Sequence, residues 1–363
     1  MRYYIIAGEA SGDLHGARLV TALRELDPEA EIRAWGGDLM REAGAEVVKH
    51  YRDLAFMGFV EVVMNLRTIM ANFRECQADI EAFAPDRLVL IDYPGFNLRI
   101  AKWARPRGFD ISYYISPQIW AWHTSRVHQV KANVDRMLVI LPFEEEFYAR
   151  YGVKATFVGH PLLDVVREVE HRTPTHIALL PGSRKQEISR SLPVMLAAAA
   201  ELPDQRYVIA GAPSQDREVY ARIMEQSARP PQLELVSGRT YEVLSGAKAA
   251  AVTSGTATLE TALFGVPQVV CYRGNPLNYW LARRLVASRI KYISLVNLVM
   301  DREVVPELIQ QEFTAHRLRE ELQKTIAGPK RDRQLRDLAE LRRTLGEGGA
   351  AARAAAAIID RKD

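Results

Sequence analysis

The feature that most constrains the fold is a rhythm. Short apolar runs, each followed by a helical pattern, repeat along most of the chain. In the first half the runs are "YYIIAG", "EIRAWG", "RLVLID", "DISYYI" and "RMLVIL", with helical stretches such as "DLHGARLVTALREL" and "FNLRIAKWARPR" between them. The runs are mostly apolar on both faces, the pattern of parallel strands covered on both sides. Such alternation predicts an α/β domain of doubly wound, Rossmann-like build. The rhythm stops at "VREVEHRTPT" (166–175), which is polar and aperiodic, and restarts with "HIALLPGSR", "RYVIAG", "LELVSG", "AAAVTSG" and "PQVVCYR". Two such domains in tandem are expected, residues 1–165 and 176–330, joined by a linker at 166–175. From about residue 303 the pattern reads as helix, and "AAARAAAAIID" near the end is almost pure helix former. Residues 331–363 are therefore expected to be helical, either packed back on the first domain or forming a homodimer contact.

Composition narrows the function. With 48% hydrophobic and 26% charged residues, the chain has the balance of a soluble globular protein with ample core. A net charge of +3 over 363 residues gives no support for nucleic-acid binding, which usually shows a concentrated basic face. Cys76 and Cys271 lie far apart, with no CxxC and no disulfide framework, so a reducing cytosol is the expected compartment. The opening "MRYYIIAG" is too short an apolar run for a signal peptide. No stretch reaches the ~18 uncharged apolar residues of a spanning helix. The protein is expected inside the cell, where it can still touch a membrane surface.

Chemistry is expected where strands end. "GEASGDLHGA" follows the first strand, with Gly8, Gly12 and Gly16 four apart. A dinucleotide loop needs its first two glycines two apart, and a P-loop needs a lysine that is missing here. What remains is a glycine turn bearing Glu9, Ser11 and Asp13, with a helix starting near Asp13. Glycines admit close approach of a ligand, and carboxylates suit sugar hydroxyls better than phosphate. The plainer alternative is a structural turn with an Asp N-cap. In the second half, "LLPGSRKQEI" reads strand, Gly182, Ser183, Arg184, helix, and Ser183 with Gln186 fits a capping box. A helix N-terminus with an adjacent arginine favours a diphosphate; the alternative is a capped helix with a solvated arginine. "VTSGTATLE" repeats the logic, with Ser254, Gly255 and Thr256 at the turn and Glu260 one turn inside the helix, within reach of a ribose diol. Two such loops in one half-domain make a nucleotide-diphosphate crevice. In "LVLIDYPGFN", Asp92 ends an apolar strand, where burial would raise its pKa and make it a usable general base. Helix capping is its structural alternative. The aromatics of "ISPQIWAWH", Trp120 and Trp122, could stack on a base or sugar or could simply pack.

No DxD, HExxH or cysteine pair occurs, so no metal and no cofactor is expected. The stretch 54–73, "LAFMGFVEVVMNLRTIMANF", is apolar nearly all round at helical spacing. Phe56, Met57, Phe59, Val60, Val63, Met64 and Met70 make it either a core helix or a lipid-facing one, while Glu61 and Arg67 argue against a span.

Taken together and in order, "AGEASGDLHGA", "IDYPGFN", "SPQIWAW", "LPFEEEFY", "FVGHPLLD", "LLPGSRKQEI", "TSGTATLE" and "YWLARRLV…YISLVNL" resemble the lipid-A-disaccharide synthase family over nearly the whole chain. The resemblance implies a tandem-Rossmann (GT-B) glycosyltransferase fold and a metal-independent, inverting transfer. It implies UDP-2,3-diacylglucosamine as donor, 2,3-diacylglucosamine 1-phosphate (lipid X) as acceptor, and work at the cytoplasmic face of the inner membrane. Glu9, Asp92, Arg184, Glu260 and Asn297 stand at matching positions, with the "GEASGD" loop facing the sugars and the second half gripping UDP. The segment 54–73 matches the family's membrane-facing segment. Two departures occur: Val296 replaces a common proline before the matching Asn, and Met300, Asp301 and Arg302 replace a frequent Ala-Gly-Arg. A UDP-sugar epimerase of similar build and a non-enzymatic nucleotide-sugar binder are the rival readings. The first would not need a lipid-facing helix, and the second would not need Asp92.

Overall fold

The computed structural model describes residues 1–54, 66–120, 124–167, 169–170, 172–274 and 291–360. The chain divides into two compact units, Met1–Pro161 with Glu347–Asp363, and Leu162–Gly346.

The first unit runs β1 (Arg2–Ala7), α1 (Ala10–Leu26), β2 (Glu31–Gly36), α2 (Asp38–Glu42), β3 (Glu46–His50), α3 (Leu66–Phe83), β4 (Arg87–Ile91), α4 (Pro94–Ala104), β5 (Ile111–Tyr114), α5 (Val127–Asn133), β6 (Arg136–Val139), α6 (Phe143–Ala149) and β7 (Ala155–Phe157). Its seven strands pair in parallel in the order β3-β2-β1-β4-β5-β6-β7. The doubly apolar strands are explained by their two faces. Tyr3 and Ile5 of β1, with Val89 and Ile91 of β4, pack on Leu19 and Leu23 of α1. Tyr4 and Ile6, with Leu88 and Leu90, pack on Phe73 and Ile80 of α3 and Ile100 of α4. Both faces are covered, as a parallel sheet requires.

The second unit runs α7 (Leu162–Arg167), β8 (His176–Leu180), α8 (Lys185–Ala200), β9 (Tyr207–Gly211), α9 (Arg217–Gln226), β10 (Leu233–Ser237), α10 (Thr240–Ser245), β11 (Ala247–Thr253), α11 (Thr256–Leu263), β12 (Gln268–Tyr272), α12 (Leu295–Met300), β13 (Glu307–Ile309), α13 (Ala315–Ile326) and α14 (Pro329–Thr344). The sheet order is β10-β9-β8-β11-β12-β13. The tandem doubly wound α/β expectation is met, with one local correction. The chain after residue 303 is not wholly helical, because Glu307–Ile309 adds a parallel edge strand to β12. Three residues are too few to show a period of two.

The last helix, α15 (Ala350–Ile359), belongs to the first unit, where Ala351, Ala354, Ala355 and Ile358 join the cluster on α1. Its C-terminal carbonyls would otherwise lack partners. Arg87 Nε donates to Ile358 O (2.9 Å) and Arg136 Nη2 donates to Asp360 O (2.7 Å). Asp110 pairs with both arginines. The two thiols, Cys76 and Cys271, are buried and unpaired.

In each sheet the strand order reverses direction once, between β1 and β4 and between β8 and β11. The carboxyl ends of strands flanking such a switch point are where open α/β sheets bind ligands.

Candidate active site

In the first unit, the switch point carries Gly8 and Glu9 after β1 and Asp92 after β4. Gly8 is required by close approach, since a Cβ there would lie 2.4 Å from the Tyr93 ring. The other two glycines are also explained by packing. A Cβ on Gly12 would press on Ala7 at 3.1 Å, and one on Gly16 would meet Met40 Sδ at 2.6 Å. The space in the direction of each missing Cβ is filled by protein. Ser11 is exposed on the first turn of α1.

The expected role of Asp13 is corrected. The helix begins at Ala10 with Glu9 as its N-cap, and the Glu9 side chain makes no capping hydrogen bond. Asp13 is buried inside the helix and caps a different one. Its carboxylate accepts from Gly37 N (2.7 Å), Leu39 N (3.2 Å) and Met40 N (3.1 Å) at the start of α2.

At the end of β4, Asp92 (φ 43°) and Tyr93 (φ 49°) are consecutive left-handed residues. Each such conformation costs on the order of 1–3 kcal/mol unless its surroundings hold it. Asn97 Nδ2 donates to Asp92 O (2.8 Å) and Ile91 O (3.1 Å), and Tyr113 Oη donates to Asp92 O (2.6 Å). Burial pushes the Asp92 carboxyl up to about 7, the negative charge of Glu9 adds to this, and the Tyr93 N–H opposes it. A carboxylate that titrates near neutrality is matched to proton abstraction.

The histidines here are poorer bases. Burial, helped by Arg18, pulls His15 down to about 4. Burial and then His15 pull His160 down to about 3. Both are neutral at pH 7, and the His15 Nδ1 atom is buried without a hydrogen-bond partner. His160 sits in the sequence stretch "FVGHPLLD", but nothing local in that stretch shows that the ring would lie near His15.

The aromatic loop after β5 is anchored rather than presented. Trp120 Nε1 donates to Glu144 (3.2 Å), and the ring meets Phe143 edge-on. Glu144 is buried, and burial raises its carboxyl to about 7 against the pull of the Leu141 and Ile140 N–H groups. Trp122 lies outside the described residues. Beside Tyr93, a cavity of about 230 Å³ opens between α3 and α4, lined by Leu54, Ile69, Phe73, Phe96 and Arg99. Phe73 stacks on Phe96 at 4.2 Å and belongs to the core. Met70 is 49% exposed. Phe56, Met57, Phe59, Val60, Val63 and Met64 fall in 55–65, outside the described residues. Among the described residues no helix is long and apolar enough to cross a membrane, and no side-chain cluster is suited to hold a metal.

In the second unit, the switch-point loops are Pro181–Arg184 and Ser254–Thr256. Gly182 (φ 111°) is required both by its backbone and by Glu187, whose Cβ would lie 2.7 Å from an added Cβ. The capping partner is Glu187 rather than Gln186, because the helix starts at Lys185 and its third residue is Glu187. Glu187 accepts from Ser183 N (3.2 Å) and Arg184 N (3.3 Å), and lies 3.5 Å from the exposed Arg184 guanidinium. In the other loop Ser254 Oγ donates to Ile293 O (3.1 Å). Gly255 and Thr256 are exposed, and a Cβ on Gly255 would meet nothing within 4 Å. Packing therefore accounts for Gly8, Gly12 and Gly16 but not for Gly255. Burial raises the Glu260 carboxyl, while Tyr241 Oη, 3.2 Å away, donates to it and opposes the rise. Tyr241 carries no local sequence signal for this role, because its partner Glu260 is brought to it only by the fold.

Asn297 lies on α12. It is fully buried, and its amide is saturated inside the protein. Its Oδ1 accepts from Val304 N (2.8 Å) and Val305 N (3.0 Å), and its Nδ2 donates to Val305 O (2.8 Å) and Glu307 (2.9 Å). It pins the turn between α12 and β13. The two departures lie nearby: Val296 is buried, Asp301 (φ 47°) ends α12, and Arg302 pairs with Asp337 (3.0 Å) and Glu340 (2.8 Å) on α14.

The fold alone is shared by different chemistries. A putative UDP-N-acetylglucosamine 2-epimerase from Listeria monocytogenes superposes with TM-score 0.65 at 14% identity, covering 96% of this chain and 93% of that one. The glycotransferase of kitacinnamycin does so with TM-score 0.64 at 17% identity, covering 98% of each chain. Sequence separates the two. A family profile described as lipid-A-disaccharide synthetase matches residues 3–359. The chain belongs to the lipid-A-disaccharide synthase family. The lipid-A-disaccharide synthase of Syntrophus aciditrophicus (strain SB) is 42% identical over 367 residues, 97% of this chain and 95% of that protein. Lipid-A-disaccharide synthases are glycosyltransferases of lipid A biosynthesis, and this GT-B chain is an enzyme of that class.

Proposed function

We propose that the enzyme condenses UDP-2,3-diacylglucosamine with 2,3-diacylglucosamine 1-phosphate at the cytoplasmic face of the inner membrane, with inversion, and that Asp92 is the general base. The observation that carries this reading is the Asp92 carboxyl. It sits at the switch point of the first sheet, held at about 7 by burial and by Glu9. Asp92 takes the proton of the acceptor 6-hydroxyl as that oxygen bonds to the donor's anomeric carbon. The bond from that carbon to the diphosphate breaks, and UDP leaves with the electron pair. Glu9 keeps Asp92 basic and orients a sugar hydroxyl. UDP is assigned to the second unit: Arg184, with the loop of Gly182 and Ser183, takes the diphosphate, Ser254, Gly255 and Thr256 line it, and Glu260 takes the ribose.

The test is UDP release from the purified enzyme with donor alone and with donor plus acceptor. Release that needs acceptor, and is lost in Asp92→Asn, supports the reading. A new sugar epimer formed from donor alone would refute it in favour of the chemistry named for the Listeria structure.

A further inference from the structure

We infer that Asn97 and Tyr113 are positioning residues for Asp92: together they clamp its carbonyl and so aim its carboxylate. The inference rests on the reading of Asp92 as the base. Two successive left-handed residues that are not glycine are rarely held by the chain alone. Here the peptide joining them is gripped from two sides. Tyr113 Oη (2.6 Å) and Asn97 Nδ2 (2.8 Å) both donate to Asp92 O, which uses both lone pairs of that oxygen. Fixing this peptide plane fixes ψ of Asp92 and φ of Tyr93, and with them the direction of the Asp92 side chain.

Both donors are fully buried, so water does not compete for them. Burial also holds the Tyr113 phenol well above its ordinary pKa, so the hydroxyl keeps its proton to donate. Asn97 reaches further. The same Nδ2 lies 3.1 Å from Ile91 O and 3.5 Å from Ile6 O. Ile6 is on β1, whose end carries Glu9, and Ile91 is on β4, whose end carries Asp92. One amide therefore ties together the two strand ends that bear the two carboxylates. The stretch "DYPGFN" gains a physical reading: Asp92 and Tyr93 make the elbow, Pro94 starts α4, and Asn97, one turn into that helix, reaches back to hold the elbow.

The experiment compares full-length Tyr113→Phe and Asn97→Ala with wild type, and with Tyr207→Phe as a control. Tyr207 Oη donates to Leu202 O (3.2 Å) in the other unit, so that variant loses a tyrosine hydroxyl bond that takes no part in holding Asp92. UDP release from UDP-2,3-diacylglucosamine plus 2,3-diacylglucosamine 1-phosphate is followed from pH 5 to 9 in the fraction that stays folded. Tyr113→Phe and Asn97→Ala should lower kcat on the order of 10–100-fold, the scale of a misaimed catalytic group. The donor KM and the UDP Kd should stay unchanged. The acid limb of kcat/KM should move below its wild-type position as water reaches the carboxyl. Tyr207→Phe should lose stability and keep both kcat and the limb. Wild-type kcat and acid limb in Tyr113→Phe would overturn the clamp, whether or not Asn97→Ala folds. An inactive Asp92→Asn beside a normal Tyr113→Phe overturns the clamp alone. An active Asp92→Asn overturns the base reading and the clamp with it.

Discussion

Replacing Asp92 by Asn should abolish turnover and at the same time stabilise the first unit, by an amount that depends on pH. The carboxyl titrates at about 7 in the folded protein against 3.8 ordinarily. Its folded pKa is raised, so the folded state holds the proton more tightly than the unfolded chain. The wild type therefore loses stability as pH rises from about 4, where the unfolded chain ionises, through about 7, where the folded carboxyl ionises. A tenfold change in proton affinity is worth about 1.4 kcal/mol, so a carboxyl moved from 3.8 to about 7 sets a ceiling of roughly 4 kcal/mol. The unfolded chain retains some structure, and the amide must replace the carboxylate's bond to the Tyr93 N–H, so about 1–3 kcal/mol is the expected gain. Asn is isosteric and among the residues most tolerant of the left-handed region, so the φ of 43° adds no new strain. Differential scanning calorimetry of both proteins at pH 4.5, 6, 7 and 8 tests this. For a unit of this size the transition should rise about 2–4 °C per kcal/mol at pH 8, and the difference should vanish toward pH 4.5. A gain independent of pH, or a loss at pH 8, would refute burial as the cause of the raised carboxyl pKa. The same titration requires kcat/KM of the wild type to fall below pH about 7.

Arg184→Ala should weaken UDP binding by about 1.5–3 kcal/mol, the worth of a charged hydrogen bond, and unchanged affinity in calorimetry would remove Arg184 from the diphosphate site. Asn297→Ala strips partners from Val304 N, Val305 N and Glu307 and should destabilise the second unit by about 2–4 kcal/mol, read as a lower denaturant midpoint. If UDP affinity collapses while stability holds, Asn297 is a ligand contact. Met57→Glu with Met64→Glu should cut co-sedimentation with anionic liposomes and leave the unfolding temperature unchanged. A large drop in that temperature would mean the segment is core.

The rhythm of apolar runs was enough to place two parallel α/β units. A strand buried on both faces must be apolar at every position, and that signature is local. The loops after β1, β4, β8 and β11 were legible for the same reason, since each interrupts a run with glycine, proline or a charge. What the residues do in those loops was not local. Asp13 reads as the start of its own helix, yet it caps α2, about two dozen residues away in the chain. Glu187 takes the place assigned to Gln186 because a one-residue shift in where α8 starts changes which side chain faces back. The internal partners of the Asn297 amide, on Val304, Val305 and Glu307, are likewise invisible in its local sequence. The order of the strands, and hence which loops meet at a switch point, depends on pairings between segments far apart in the chain. Asp92 shows the division most clearly. Its position at a strand end was plain in the sequence, but its ionisation was decided by the folded surroundings. The surrounding protein desolvates the carboxyl, Glu9 arrives from the end of another strand, and the elbow that aims the carboxylate is held by Asn97 and Tyr113. Local periodicity reports which residues are buried. Only the tertiary structure brings together the charges and donors that act on one another.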